Sequence, residues 1–252
     1  MAHAFKDGIA RAVSAPAIVA GTVAVIWLLS LPLPDALFDT SAGLRVMLAA
    51  VVIWSFAWGG ILDRYARNRP TRGRGFFGAC GAHFPAILRL GLMVLLVEAA
   101  SGWALGETEN AARATAHAVI ATLVGMVATF ARIRIVVEDR RSALGATLGA
   151  VRFLRRNPAG IGLVVVFAVL QTLALVGVGL AVDPDSSTGW RRALAEGSIA
   201  VPLILILVEQ AAGVSLFQSR LAHASYTAAP PIEWPDSPAA EAITNRIPEA
   251  AP

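Results

Sequence analysis

The chain has 252 residues, of which 56% are hydrophobic and 15% charged, with a mean hydropathy of +0.65. Soluble domains are about a quarter charged, so this composition excludes an ordinary soluble fold. A net charge of +4 and a pI near 10.2 could suit a nucleic-acid binder, but the apolar residues are clumped in long runs, so the first question is where the charge sits between them.

A run of about 18 or more apolar residues crosses ~30 Å of hydrocarbon as a helix. Six runs qualify, at roughly 14–33, 45–62, 85–104, 115–132, 159–182 and 197–218. The expected fold class is therefore all-α, a polytopic membrane protein with six transmembrane helices. The first run, "SAPAIVAGTVAVIWLLSLPLP", is longer than the apolar core of a cleaved signal. No small-residue cleavage site precedes "DALFDTSAGLR", so a retained helix is expected. Cys80 stands alone, which excludes an internal disulfide.

The connecting segments alternate in charge. Residues 1–13, 63–89, 132–158 and 219–252 hold 17 of the 21 basic residues, and "RIRIVVEDRRSALGATLGAVRFLRRNP" (132–158) alone carries seven arginines. The other side holds Arg45, Arg113, Arg191 and Arg192 against seven acids. The positive-inside rule then places both termini in the cytoplasm, as expected for a multi-pass inner-membrane protein.

Three segments ahead of the odd-numbered runs share a layout: "AFKDGIARAVSAPAIVAG", "GFFGACGAHFPAILRLG" and "ATLGAVRFLRRNPAGIG". Each sets apolar residues at helical spacing (Phe5, Ile9, Val13; Phe77, Cys80, Phe84; Leu144, Leu148, Val151), and each then reaches a proline. Pro16, Pro85 and Pro158 are 69 and 73 residues apart. Proline ends one helix and can open the next. This predicts three tandem repeats, at about 3–69, 73–141 and 142–223, each an interfacial amphipathic elbow followed by a spanning hairpin. Arg155 falls within the third apolar stripe, from where it can snorkel.

"GGILDRYARNRPTRGRGFFGACGAHF" and "ARIRIVVEDRRSALGATLGAVRFLRRNP" resemble segments of an uncharacterised family of bacterial six-span integral membrane proteins. That family carries DRYARxRPTR-like and VVEDRRSxLGAL-like stretches, and the resemblance covers about 20–160. It implies a class and little chemistry. The elbow-and-hairpin layout is also similar, in architecture only, to the membrane domain beside some glycerophosphodiester phosphodiesterases. The chain shows no phosphodiesterase catalytic segment, so that activity is not carried over.

Candidate chemistry is sparse. "GRGFFG" (Gly73, Gly75, Gly78) matches a dinucleotide fingerprint but lacks the preceding strand and reads as a flexible lead into the second elbow. Glu98, Gln171, Glu209 and Gln210 fall near mid-bilayer, where ionisable groups mark ion or proton paths or are glued by hydrogen bonds. No basic residue is expected at their depth. His83 is expected at headgroup level, and His3, His117 and His223 are scattered by the topology. Trp54, Trp58 and Trp103 read as span packing or interface anchors. No zinc-binding helix, paired cysteines or nucleophile elbow appears, so no catalytic, cofactor or metal site is expected.

Arg72, Arg74, Arg140, Arg141, Arg152, Arg155 and Arg156 are the expected contacts to anionic lipid headgroups, in preference to nucleic acid. The proline-rich, acidic stretch from about 224 to 252 is expected to be a disordered cytoplasmic tail. The leading functional expectation is a non-catalytic accessory, scaffold or lipid-interacting membrane module, with a membrane protein partner or a homo-oligomer as its company. The competing expectation is a transporter or channel using Glu98 and Glu209.

Overall fold

Long aliphatic runs have no water to satisfy their amides within a bilayer, so they close their hydrogen bonds internally as helices. In the computed structural model, which describes residues 2–29, 40–68, 72–105, 111–181 and 200–228, every element is an α-helix. In chain order these are α1 (Ala2–Val13), α2 (Pro16–Leu29), α3 (Thr40–Arg67), α4 (Gly73–Leu105), α5 (Ala111–Val137), α6 (Ala143–Arg156), α7 (Pro158–Ala181) and α8 (Ala200–Ala228). No strand occurs among the described residues, so "GRGFFG" opens α4 without the β-element that a dinucleotide site needs.

Four helices among the described residues are long and apolar enough to cross a membrane, as suits a multi-pass membrane protein. They are α4, α5, Pro158–Gly177 of α7 and Ala200–Leu221 of α8. Helices α2 and α3 cover the described parts of the first two apolar runs, and residues 30–39 between them lie outside the described residues. Met1–Gln218 and Ser219–Pro252 form separate compact units, and the packing below belongs to the first. Helix α8 continues through Ala228, past the point where a disordered tail was expected to begin, because "AHASYTA" is rich in the best helix-forming residue. The rest of that expected tail, 229–252, lies outside the described residues.

The helix ends follow from local chemistry. Ser142 caps α6 by accepting from the Gly145 amide at 3.2 Å, and Asn157 closes it with its amide donating to Phe153 and Leu154 carbonyls. Pro158 then opens α7, as Pro16 opens α2. The second elbow differs from its expected form. Pro85 sits inside α4, which runs unbroken for 33 residues. The missing amide leaves the Gly81 carbonyl without its rung, and Gly81 is exposed with open space around it. An exposed carbonyl is open to partners from outside the helix, so one helix persists where two were expected. At the other ends, Asn68 (φ 46°) and Asp139 (φ 50°) take the left-handed conformation that stops α3 and α5. The Arg140 amide completes the second stop by reaching back to Ile135 O at 2.9 Å.

Short α1 and α6 present two faces. Ala4, Gly8 and Ala12 of α1, and Ala146, Gly149 and Ala150 of α6, are buried against the bundle. Gly8 lies so close to the Ala212 backbone on α8 that a β-carbon there would sit 2.6 Å from it. Gly149 leaves room for the Arg134 side chain to cross α6. The large apolar residues point the other way: Ile9 and Val13 are exposed, as are Leu144, Leu148 and Val151, with Leu144 at 65%. The exceptions are Phe5, which meets the Phe167 ring at 5.5 Å, and Phe153 and Leu154 of α6, the first packed against Phe130 and Phe217 and the second buried. In the second elbow Phe77 is exposed while Cys80 is fully buried beneath Gly59 and Gly60.

The core is concentrated toward the ends of α3 and α5 that carry the arginines. Leu62 and Tyr65 of α3, Phe130, Ile133 and Ile135 of α5, Phe167 of α7, and Val214 and Phe217 of α8 are all almost wholly buried. Helix α8 is the central post, with 56% of its apolar window buried against 22% for α4 and for α7.

Candidate functional site

Glu209 and Gln210 are neighbours on α8, and adjacent helical residues point about 100° apart. They therefore serve different partners. Glu209, which is buried, accepts from Gln171 Nε2 on α7 at 2.9 Å. Gln210, also buried, donates through Nε2 to Thr129 Oγ1 on α5 at 3.3 Å, and its Oε1 has no partner. Three of the four expected mid-membrane residues thus join α5, α7 and α8.

A cation completes this layer, contrary to the expectation that none would be found at its depth. In the sequence Arg132 ends its apolar run and so groups with the cytoplasmic charges. Helical side chains tilt toward the N-terminus, and here that direction leads back along the apolar run. Arg132 Nε donates to Ala128 O at 3.3 Å and Nη2 to Thr129 Oγ1 at 3.4 Å. Its guanidinium lies 5.0 Å from the centre of the buried Trp58 ring. Thr129 Oγ1 thus joins Arg132 to Gln210. An acid, a base, two amides and a hydroxyl therefore share one buried cluster, held partly by the quadrupole of an aromatic face.

Glu98 makes its contacts elsewhere. Its carboxylate lies 3.9 Å from His117 Nε2 on α5, and both side chains are about one-third exposed. Ser101 Oγ donates to the Glu98 carbonyl at 2.9 Å and lies 3.3 Å from His117 Nδ1. His117 is thus a partner for Glu98, which its isolated place in the sequence did not signal. Of the expected anchors, Trp58 is packed and Trp103 is 88% exposed.

The basic face has two populations of arginine. Arg72, Arg74, Arg140, Arg141, Arg152, Arg155 and Arg156 are all exposed. Arg11, Arg64, Arg67 and Arg134 are tied into the fold, and Arg140, though exposed, shares the Arg134 partner. Arg134 donates to Glu138 Oε2 through Nη2 at 2.8 Å, Arg140 Nε reaches the same oxygen at 3.0 Å, and Arg134 lies over the Phe217 ring. Arg11 Nη1 donates to Tyr65 O and to Gln218 Oε1, both at 2.8 Å, while Gln218 Nε2 donates to Ala66 O. Arg67 Nε bridges both Asp63 oxygens at 2.8 Å. Arg64 is 6% exposed; its Nη2 donates to Ser14 O at 3.2 Å and its Nη1 has no partner. His83 Nδ1 stands 3.9 Å from Asp139 at the same end of the bundle. Burial pushes the Tyr65 phenol up to about 12, against the opposing pull of Arg64.

A cavity of about 610 Å³ opens beside Arg64 between α2, α3 and the start of α4. It is lined by Pro16, Gly21, Ile53, Phe56, Phe76 and Cys80 among others. Compared with known proteins, the chain matches no protein-family model, no curated protein and no solved structure.

Proposed function

We propose that this chain is a six-span protein of the bacterial cytoplasmic membrane, with both termini in the cytoplasm. It acts as a non-catalytic accessory or scaffold module, engaging anionic lipid headgroups, and a membrane partner or second copy, through its basic cytoplasmic face. The observation that carries this reading is α6. It exposes Leu144, Leu148 and Val151 together with Arg152, Arg155 and Arg156, while its small residues dock on the bundle. An apolar stripe beside basic side chains suits the boundary between acyl chains and phosphates. The same division of small and large residues on α1, and the matching left-handed stops at Asn68 and Asp139, support a tandem arrangement of elbows and hairpins. The mid-membrane polar groups support the non-transporting reading, because Gln171, Glu209, Gln210 and Thr129 are spent on joining helices.

Three measurements test this. Single cysteines at 66–72 and 142–150 should resist a membrane-impermeant label applied to intact cells, while those at 107–111 and 184–188 react. Outside labelling of an arginine-rich segment would end the orientation. In vesicles of mixed lipid, the protein should enrich anionic lipid around itself. The enrichment should shrink with salt, whose screening length is about 10 Å at 0.1 M, and on joint substitution of Arg152, Arg155 and Arg156 by Gln. Finally, reconstituted protein should carry no pH- or potential-driven flux. A robust flux that disappears in Glu98→Gln or Glu209→Gln would promote a transporter built on those acids.

A further inference from the structure

We infer that the cavity between α2, α3 and α4 holds one anionic phospholipid of the cytoplasmic leaflet, its phosphate on Arg64 and an acyl chain along the apolar wall. This deepens the lipid-engaging reading above and rests on it, but it adds a discrete site to a diffuse basic surface.

The argument begins with Arg64. It is more than nine-tenths buried, it lines the cavity, and its Nη1 makes no hydrogen bond. An unpaired nitrogen on a buried cation is costly, and a guanidinium is matched by phosphate geometry. The carboxylate next to it in sequence does not discharge it, since both Asp63 oxygens are taken by Arg67. Other positive features converge on the same mouth. Exposed Arg72 and Arg74 flank Gly73, which lines the cavity. Helix α2 begins there with Pro16 and Ala17, presenting the positive end of its dipole to an anion.

The wall below this mouth is apolar. Ile53, Trp54, Phe56, Ala57 and Ile61 follow α3 away from Arg64, and Phe76 and Phe77 of α4 face them. From Arg64 to Ile53 is eleven residues along α3, or ~16 Å, about half of the ~30 Å hydrocarbon thickness. The groove therefore has the depth of one leaflet. Its volume falls within the roughly 300–1,000 Å³ of ligand pockets. Phe56 and Phe77 are exposed at its rim, so a chain can enter sideways from the bilayer.

The test uses the full chain, delipidated in detergent and returned to nanodiscs of phosphatidylglycerol or phosphatidylcholine, with retained lipid counted by native mass spectrometry. One phosphatidylglycerol per chain should survive detergent exchange, and phosphatidylcholine should not. Arg64→Gln should weaken retention about tenfold or more. Gly21→Phe is the second variant. A β-carbon at Gly21 meets nothing within 4 Å, so the ring can occupy the groove without disturbing the helices, and retention should again be lost. Substituting Arg152, Arg155 and Arg156 by Gln should leave the one retained lipid in place while lowering the diffuse enrichment, which separates this site from the broader reading. Equal retention of both lipids, unchanged retention in a folded Arg64→Gln or Gly21→Phe protein, or displacement by millimolar inorganic phosphate would each overturn the assignment.

Discussion

The two ends of the bundle are built on different terms. Where the arginines lie, Tyr65, Phe130, Ile133, Phe167 and Phe217 are sealed, and α1 and α6 press small residues against the bundle. Toward the opposite end, Leu96, Trp103, Val119, Leu123 and Leu173 stand exposed, and Glu98 and His117 are only partly covered. In water such an apolar surface would drive aggregation. Against lipid it is neutral, because acyl tails are as apolar as leucine, so helices there gain little by touching. Specific structure is therefore made where polar groups and close backbones supply attraction that lipid cannot.

That difference can be broken by substitution. The largest effect is expected from Gly8→Leu. A side chain there collides with the backbone of Ala212, which cannot yield as a flexible side chain would. Undocking α1 should cost about 3 kcal/mol or more, read as reduced thermal stability in detergent. Phe217→Ala comes next, at about 2–3 kcal/mol. It leaves a cavity beside Phe153 and removes the ring beneath Arg134. Leu123→Ala at the lipid-exposed end should fall within about 0.5 kcal/mol, and a comparable loss at both positions would erase the contrast.

Within the polar layer, Glu209→Gln keeps a partner for Gln171 and should change stability by under about 1 kcal/mol. Glu209→Leu should cost more, since Gln171 loses its acceptor. Equal losses from the two substitutions would mean that hydrogen bonding at this position is irrelevant. The smallest effect concerns pH. Tyr65 is raised from an ordinary 10.0 to about 12, so the unfolded chain gives up its phenol proton first. Its contribution is fully present below pH 10 and is lost as pH rises toward about 12. Tyr65→Phe should flatten that part of the stability profile.

Much of the architecture is legible because hydrocarbon leaves a chain few choices. Apolar runs long enough to span become helices, and Pro16 and Pro158 open two of them as their spacing implies. The stripe Leu144, Leu148, Val151 and the exposed arginines of α6 also lie where the helical period puts them. The second elbow resisted such reading, since whether Pro85 breaks a helix depends on what surrounds the freed carbonyl rather than on the proline. Gln171, Glu209 and Gln210 are legible as polar residues inside apolar runs, whereas Arg132 stands at the end of its run and the return of its side chain to Ala128 and Thr129 is not. Glu98 is legible as an acid inside an apolar run, yet its partner His117 comes from the facing helix, and no periodicity links the two.

The docking of α1 sets an order of events. Besides Tyr65 on α3, its partners are Phe167 on α7 and Ala212 and Gln218 on α8, which are encoded near the other end of the unit. Translation proceeds at about 5–20 residues per second, so α1 waits on the order of 10–40 s for that surface to exist. In that interval Gly8 lacks the α8 backbone against which it packs. The full seating of α1 thus waits on α8, and its arrival closes the bundle.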